Sequence, residues 1–288
     1  MLDSSHAGVI DLTHALRAGW VDFWYQPKID LERRNVVGVE MFVRAKHPFH
    51  GILSGGVLLA GADERALGQL TMFALRSALQ ASRTFAEVGA HIPVTVNVSA
   101  SAVEPQFLAA LLAQGPQHKD WSGLILDVPK HELLGEHLRL GGITKDLAAM
   151  RIRLAADDFC GNLRRLMRST NPEALFDEME VLSGHLTKLK ALSIAEIKLD
   201  REMIAGSSED KTRGMLCSLV VDLIHQLDAK AVAVGVERQA DVALLQEIGC
   251  DIAQGHAFTP PRALDELISL IKKRVQREAV RKVASAAV

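Results

Sequence analysis

Cysteine is scarce in this chain of 288 residues: there are three, Cys160, Cys217 and Cys250. The count is odd and no CxxC spacing occurs. That excludes a disulfide scaffold and a cysteine-rich zinc module, and it fits a reducing compartment. Long hydrophobic runs are lacking as well. None reaches the roughly 18 residues that cross a bilayer. The opening MLDSSHAGVIDL has no basic stretch followed by an apolar one, so it is not a secretory signal. Charge of one sign is also missing, since 33 Lys plus Arg against 35 Asp plus Glu leaves −2. This balance makes no case for a nucleic-acid polymer or a membrane as partner. No Gly/Ser- or Pro-rich linker, repeat or low-complexity tract divides the chain. A single cytoplasmic domain is expected.

What is present is alternation. The segments 23–31, 36–45, 94–100, 124–129, 152–159, 196–200, 231–237 and 252–258 read as strands. Several are continuous apolar runs, as in strands buried on both faces. Between them, 62–89 and 210–228 carry apolar residues at helical spacing. Strand–helix alternation predicts parallel βαβ units. Eight strands in this length predict an α/β fold, a TIM-like (β/α)8 barrel, with a doubly wound sheet as the alternative. A lead-in helix is placed in 1–22, the barrel in 23–270 and a basic helix end in 271–288. The long connection 163–190 holds a helix-start signal at Ser169, Thr170, Asn171 and Pro172, and an extra rim helix is expected there. The cations from Lys272 to Lys282 are read as a solvated last helix.

Polar residues at strand ends carry the functional signal. Glu40, Asn97, Asp127, Asp157, Asp158, Lys198, Asp200, Glu237 and Gln254 lie within or at the end of a predicted strand. Buried carboxylates are costly unless paired or bound to a cation, and in a barrel the strand C-termini converge on the active-site mouth. Five acids with an amide and a lysine there point to hard divalent cations, Mg²⁺ or Mn²⁺. Alternation would send one of the adjacent pair Asp157-Asp158 inward and the other across the mouth, where the two could bridge metals.

These residues, with FWYQPKIDL, VVGVEMFVRAKHP, VTVNVSA, EIKLDREMI, VAVGVE and EIGCDIAQGHAF, make the chain resemble the EAL domain family from about residue 12 to 270. The family's active members are bacterial phosphodiesterases that use two divalent cations to open cyclic di-GMP to the linear dinucleotide. The resemblance implies metal ligands at Glu40, Asn97, Asp127, Asp157 and Asp158. It implies a water-holding lysine at Lys198, a glutamine near the second metal at Gln254, and ligand contacts at Gln26 and Arg44. The signature triplet reads Glu40-Met41-Phe42. Asp127 stands where the family has a longer glutamate.

Four departures stand out. Val234 replaces the glutamate that the resemblance places at the second metal and in water activation. Glu237, three residues on, is expected on the opposite strand face and so cannot take its place. Pro129 and Lys130 replace a threonine and a glutamate that anchor a loop over the metals. Cys160 replaces a glycine, and Pro260 an arginine. Glutamate to valine and glutamate to lysine together make the mouth about three charge units more positive, which weakens cation binding. The expectation is a degenerate EAL domain with weak or no catalysis. It would serve as a cyclic di-GMP receptor, a regulator of a partner protein, or both. The alternative is an active metal-dependent phosphodiesterase, with Glu132 or Asp251 supplying the missing acid. Redox modulation through Cys160 is a third reading; a thiol beside two carboxylates should be unreactive. The resemblance also implies a homodimer through rim helices.

Overall fold

The computed structural model describes residues 10–113, 121–159, 181 and 184–273. Among these, ten strands form one sheet: β1 (Val21–Asp30), β2 (Val36–His47), β3 (Gly51–Ser54), β4 (Val94–Asn97), β5 (Leu124–Pro129), β6 (Ile152–Asp157), β7 (Glu196–Leu199), β8 (Lys230–Ala233), β9 (Ile252–Ala253) and β10 (Arg262–Ala263). Pairing runs β1-β2-β4-β5-β6-β7-β8-β9 and returns to β1, so eight strands close into the expected barrel. β3 and β10 extend it at the margins.

One strand departs from the all-parallel expectation. β2 and β4 to β9 are mutually parallel, but β1 runs antiparallel to both β2 and β9. The physical reason is the connection. Only a short turn separates Asp30 from Val36, and a short turn can only return antiparallel, whereas a parallel neighbour needs a crossover of a dozen residues or more.

The helices follow their sequence signals. Asp63 caps Glu64–Glu87, accepting from the Ala66 amide at 2.7 Å. Its Leu70, Ala74, Leu75, Ala78, Ala81 and Phe85 are buried, so the apolar stripe packs on the barrel wall. Asp210 caps Lys211–His225 through the Thr212 and Arg213 amides. The remaining free cysteines of the described residues, Cys217 and Cys250, are buried. Burial pushes their thiols up to about 11 and about 12, which makes them packing groups. Cys160, Pro172 and most of the 163–190 insertion lie outside the described residues, as does 274–288. At the start, helix Leu12–Arg17 precedes β1. Among the described residues no helix is long and apolar enough to cross a membrane.

Candidate active site at the barrel mouth

Strand alternation aims Gln26 and Lys28 of β1, Glu40 of β2, Thr95 of β4, Asp127 of β5, and Glu196 and Lys198 of β7 into the barrel, and all seven are buried. They sort into two levels. In the deeper one, Lys28, wholly shielded from solvent, donates to Thr95 Oγ1 at 2.7 Å and pairs with Glu196. One step toward the mouth, Lys198 Nζ bonds Glu40 Oε1 at 2.9 Å and also pairs with Asp127. Asn97 Nδ2 donates to the same Glu40 oxygen at 3.4 Å.

One ammonium thus serves two carboxylates, and their acidities separate. Burial alone would raise Glu40, but Lys198 and Lys28 together hold it below its ordinary value. Burial lifts Asp127 to about 6, helped by Glu40 and Asp157 and opposed by Lys198. Lys198 is held well above its usual value: burial opposes its charge, but Asp127 and Glu40 outweigh that. Because Asp127 titrates higher folded than unfolded, its contribution to stability is present below about pH 4 and lost as pH rises to about 6. Asp127→Asn removes that loss. In chelator, the melting temperature of D127N should gain on wild type between pH 4 and 7; a gap that narrows over this range counts against the assignment.

A cleft of about 1200 Å³ opens above this level. Glu40, Phe42 and Arg44 form one wall, Asn97, Asp127, Pro129 and Asp157 another, and Leu67, Leu70 and Phe107 extend it as apolar surface. Of the predicted site residues, Glu40, Asn97, Asp127, Asp157 and Arg44 share this cleft, with Lys198 beneath. Gln26 and Gln254 lie together at one side. Gln254 Nε2 donates to Gln26 Oε1 at 3.0 Å, and Gln26 Nε2 donates to the Thr259 carbonyl at 2.9 Å.

Two residues are not brought in. Asp158 is exposed, with φ of 52°, and does not line the cleft. Glu237 does not lie on a strand face at all. β8 ends at Ala233, Gly235 turns the chain with φ of 67°, and Glu237 is an exposed partner of Arg201 at 2.9 Å. The expected strand 252–258 likewise stops at Ala253. There a Cβ on Gly255 would meet the Val236 carbonyl at 2.1 Å, so glycine permits the close crossing of the two loops. Asp251 sits at the opposite end of the barrel, bonded to His225 and the Ala231 amide, and cannot supply an acid to the mouth. Glu132 lines the cleft but accepts from the Ala100 amide at 2.6 Å.

Val234 follows directly on β8, half-buried, its amide bonded to the Leu199 carbonyl at 3.0 Å. Lys130 is buried, its ammonium donating to the Phe159 carbonyl at 2.8 Å and lying 5.6 Å over the Phe159 ring. It therefore holds Phe159, next after Asp157-Asp158, with a cation, at the position where the resemblance has an acid.

The family model for the EAL domain matches residues 10–171 and 177–261, most of the chain. The chain belongs to the EAL domain family. Curated relatives of this EAL domain include, in Pseudomonas aeruginosa, the bifunctional diguanylate cyclase/cyclic di-GMP phosphodiesterase MucR. It is 27% identical over 91% of the chain and 36% of that protein. The cyclic di-GMP phosphodiesterase RocR of the same organism is 27% identical over 88% of the chain and 60% of its length. The first three curated relatives are matched over only 30–40% of their length. Among solved structures, the MucR phosphodiesterase from a cyclic di-GMP complex superposes with a TM-score of 0.72, at 27% identity, over 89% of this chain and 98% of that one. The FimX EAL domain from Pseudomonas aeruginosa bound to cyclic di-GMP gives 0.67 at 16% identity, over 88% and 96%, a likeness of fold.

The residues can be tested against the divalent cations on which EAL phosphodiesterases generally depend. Glu40, Asn97 and Asp127 offer the oxygen donors that hard cations prefer, and Asp127 Oδ1 is buried without a hydrogen-bond partner. Among the described residues, however, no three His, Cys, Asp or Glu side chains gather closely enough to hold an ion. Any cation entering there would compete with Lys198 for Glu40 and Asp127.

Proposed function

We propose that this EAL domain works as a cyclic di-GMP receptor that regulates a partner protein, with phosphodiester hydrolysis weak or lost. The observation that carries this reading is Val234. The resemblance assigns that position a carboxylate for the second metal and the attacking water, and valine can neither ligate a metal nor take a proton. Glu237, Asp251 and Glu132 are each committed elsewhere. Two further observations support it. Lys198 already pairs with both Glu40 and Asp127, so a metal at the mouth would have to displace it. Arg44 lines the cleft and supplies a cation there, which suits a ligand with two phosphates. Glu40, Asn97 and Asp127 would hold one Mg²⁺ or Mn²⁺, which when bound would polarise a phosphate oxygen.

The test has two arms. Wild-type turnover of cyclic di-GMP with Mg²⁺ or Mn²⁺ should fall about 10²–10⁴-fold below that of a member with the glutamate in place. Calorimetry should show binding of cyclic di-GMP that survives EDTA. Fast release of linear dinucleotide would restore the phosphodiesterase reading. Absence of binding heat and of a thermal shift would reduce the domain to a protein-interaction module.

A further inference from the structure

Arg44 is half-buried on the cleft wall, and it does not stand alone. In the β1–β2 register Trp24 faces Phe42, and Arg44 follows Phe42 by two residues on the same strand face. The Arg44 guanidinium carbon lies 5.7 Å from the Trp24 ring centre and 5.8 Å from the Phe42 ring centre. Both distances fall within cation–π range. Its Nη1 donates to the Val43 carbonyl at 2.8 Å, which sets the orientation of the group. Trp24 Nε1 is buried with no hydrogen-bond partner, so Trp24 is present as a ring and not as a donor.

An unsupported arginine on a cleft wall samples many rotamers and loses that freedom when a ligand arrives. Here two aromatic faces and one backbone bond have already removed much of it. Phe42 occupies the third place of the Glu40-Met41-Phe42 triplet, where the family's signature has leucine, so half of the seat arises from a departure in this chain.

We propose that Trp24 and Phe42 are positioning residues that seat the Arg44 guanidinium in advance for an anionic nucleotide ligand. The proposal rests on the receptor reading above and deepens it. It makes Phe42 an affinity determinant with no direct charge of its own.

The experiment is calorimetric titration of the full chain with cyclic di-GMP in EDTA, beside thermal melting of each variant. Phe42→Leu and Trp24→Leu should each weaken binding about five- to tenfold. Phe42→Tyr, which keeps the ring, should stay within about twofold of wild type. Once Arg44→Ala is made, adding Phe42→Leu should change nothing further, because the phenylalanine acts through the arginine. Phe42→Leu installs the family's own residue, so it keeps the test sound if Trp24→Leu lowers the melting midpoint. If wild type binds and Phe42→Leu binds equally well, this proposal falls and the receptor reading stands. The proposal also falls if Phe42→Leu costs as much without Arg44 as with it. If wild type does not bind, both fall.

Discussion

Val234→Glu should raise Mn²⁺-dependent production of linear dinucleotide roughly 100-fold, the lower part of the range for restoring a positioned base. The position allows it. Lys198 pairs with Val232 across β7 and β8, so Val234, two residues on and half-buried, continues the face that carries Lys198, where a carboxylate would point toward the mouth. It also returns a negative charge to a site whose present acids are partly spent on Lys198, which strengthens divalent binding as well as supplying a base. The gain is held to the lower part of the range by Pro129 and Lys130. The variant leaves Phe159 held as it is now, by the Lys130 ammonium on its carbonyl. Chromatographic quantification of the product decides the matter. A wild type that already matches Val234→Glu would remove Val234 as the explanation for weak catalysis.

Lys28→Met should cost about 3–5 kcal/mol of folding stability. Lys28 is wholly shielded, and the acid it pairs with directly is Glu196, itself buried. Removing the ammonium strands a carboxylate and the Thr95 hydroxyl in the barrel interior. Set against a typical total of roughly 5–15 kcal/mol, that loss brings the domain close to unfolding. The companion variant separates the pair's own worth from the harm of breaking it. Lys28→Met/Glu196→Leu removes both charges and should recover most of the loss, because replacing a buried pair by apolar groups is often neutral. Urea denaturation of the three proteins reads both effects. A single variant within about 1 kcal/mol of wild type would mean that water reaches this level of the barrel.

The architecture was legible because eight apolar segments separated by amphipathic ones leave few alternatives to a closed barrel. Strand direction was not, since periodicity reports which faces are buried and says nothing about which way a strand runs. The antiparallel course of β1 is set by the brevity of the turn between Asp30 and Val36. Strand ends were overextended at 231–237 and 252–258, where apolar residues continue but Gly235 and Gly255 turn the backbone. At the site, Glu40, Asn97, Asp127 and Lys198 were recognisable because polar side chains at the ends of buried strands need partners. Lys28 and Glu196 escaped notice because each looks like an ordinary charge until the barrel brings together residues 168 positions apart. Lys130 was read only as a lost acid. Its use of a backbone carbonyl, Phe159's, leaves no mark in side-chain patterning.

The first strand also closes the ring on which the site is built. β1 meets β9 at Ile29–Ala253 and Asp30–Ile252, and this seam joins two stretches of chain more than 200 residues apart. The Gln26–Gln254 bond spans the same seam. Closing so long a loop carries an entropic cost that local pairings do not, so the seam is expected to form late, which pulsed hydrogen exchange at the Ile29 and Ala253 amides would test. The Gln26–Gln254 pair therefore exists only in a closed ring, and a chain whose ring is still open, even with its Glu40–Lys198–Asp127 level formed, presents an incomplete mouth.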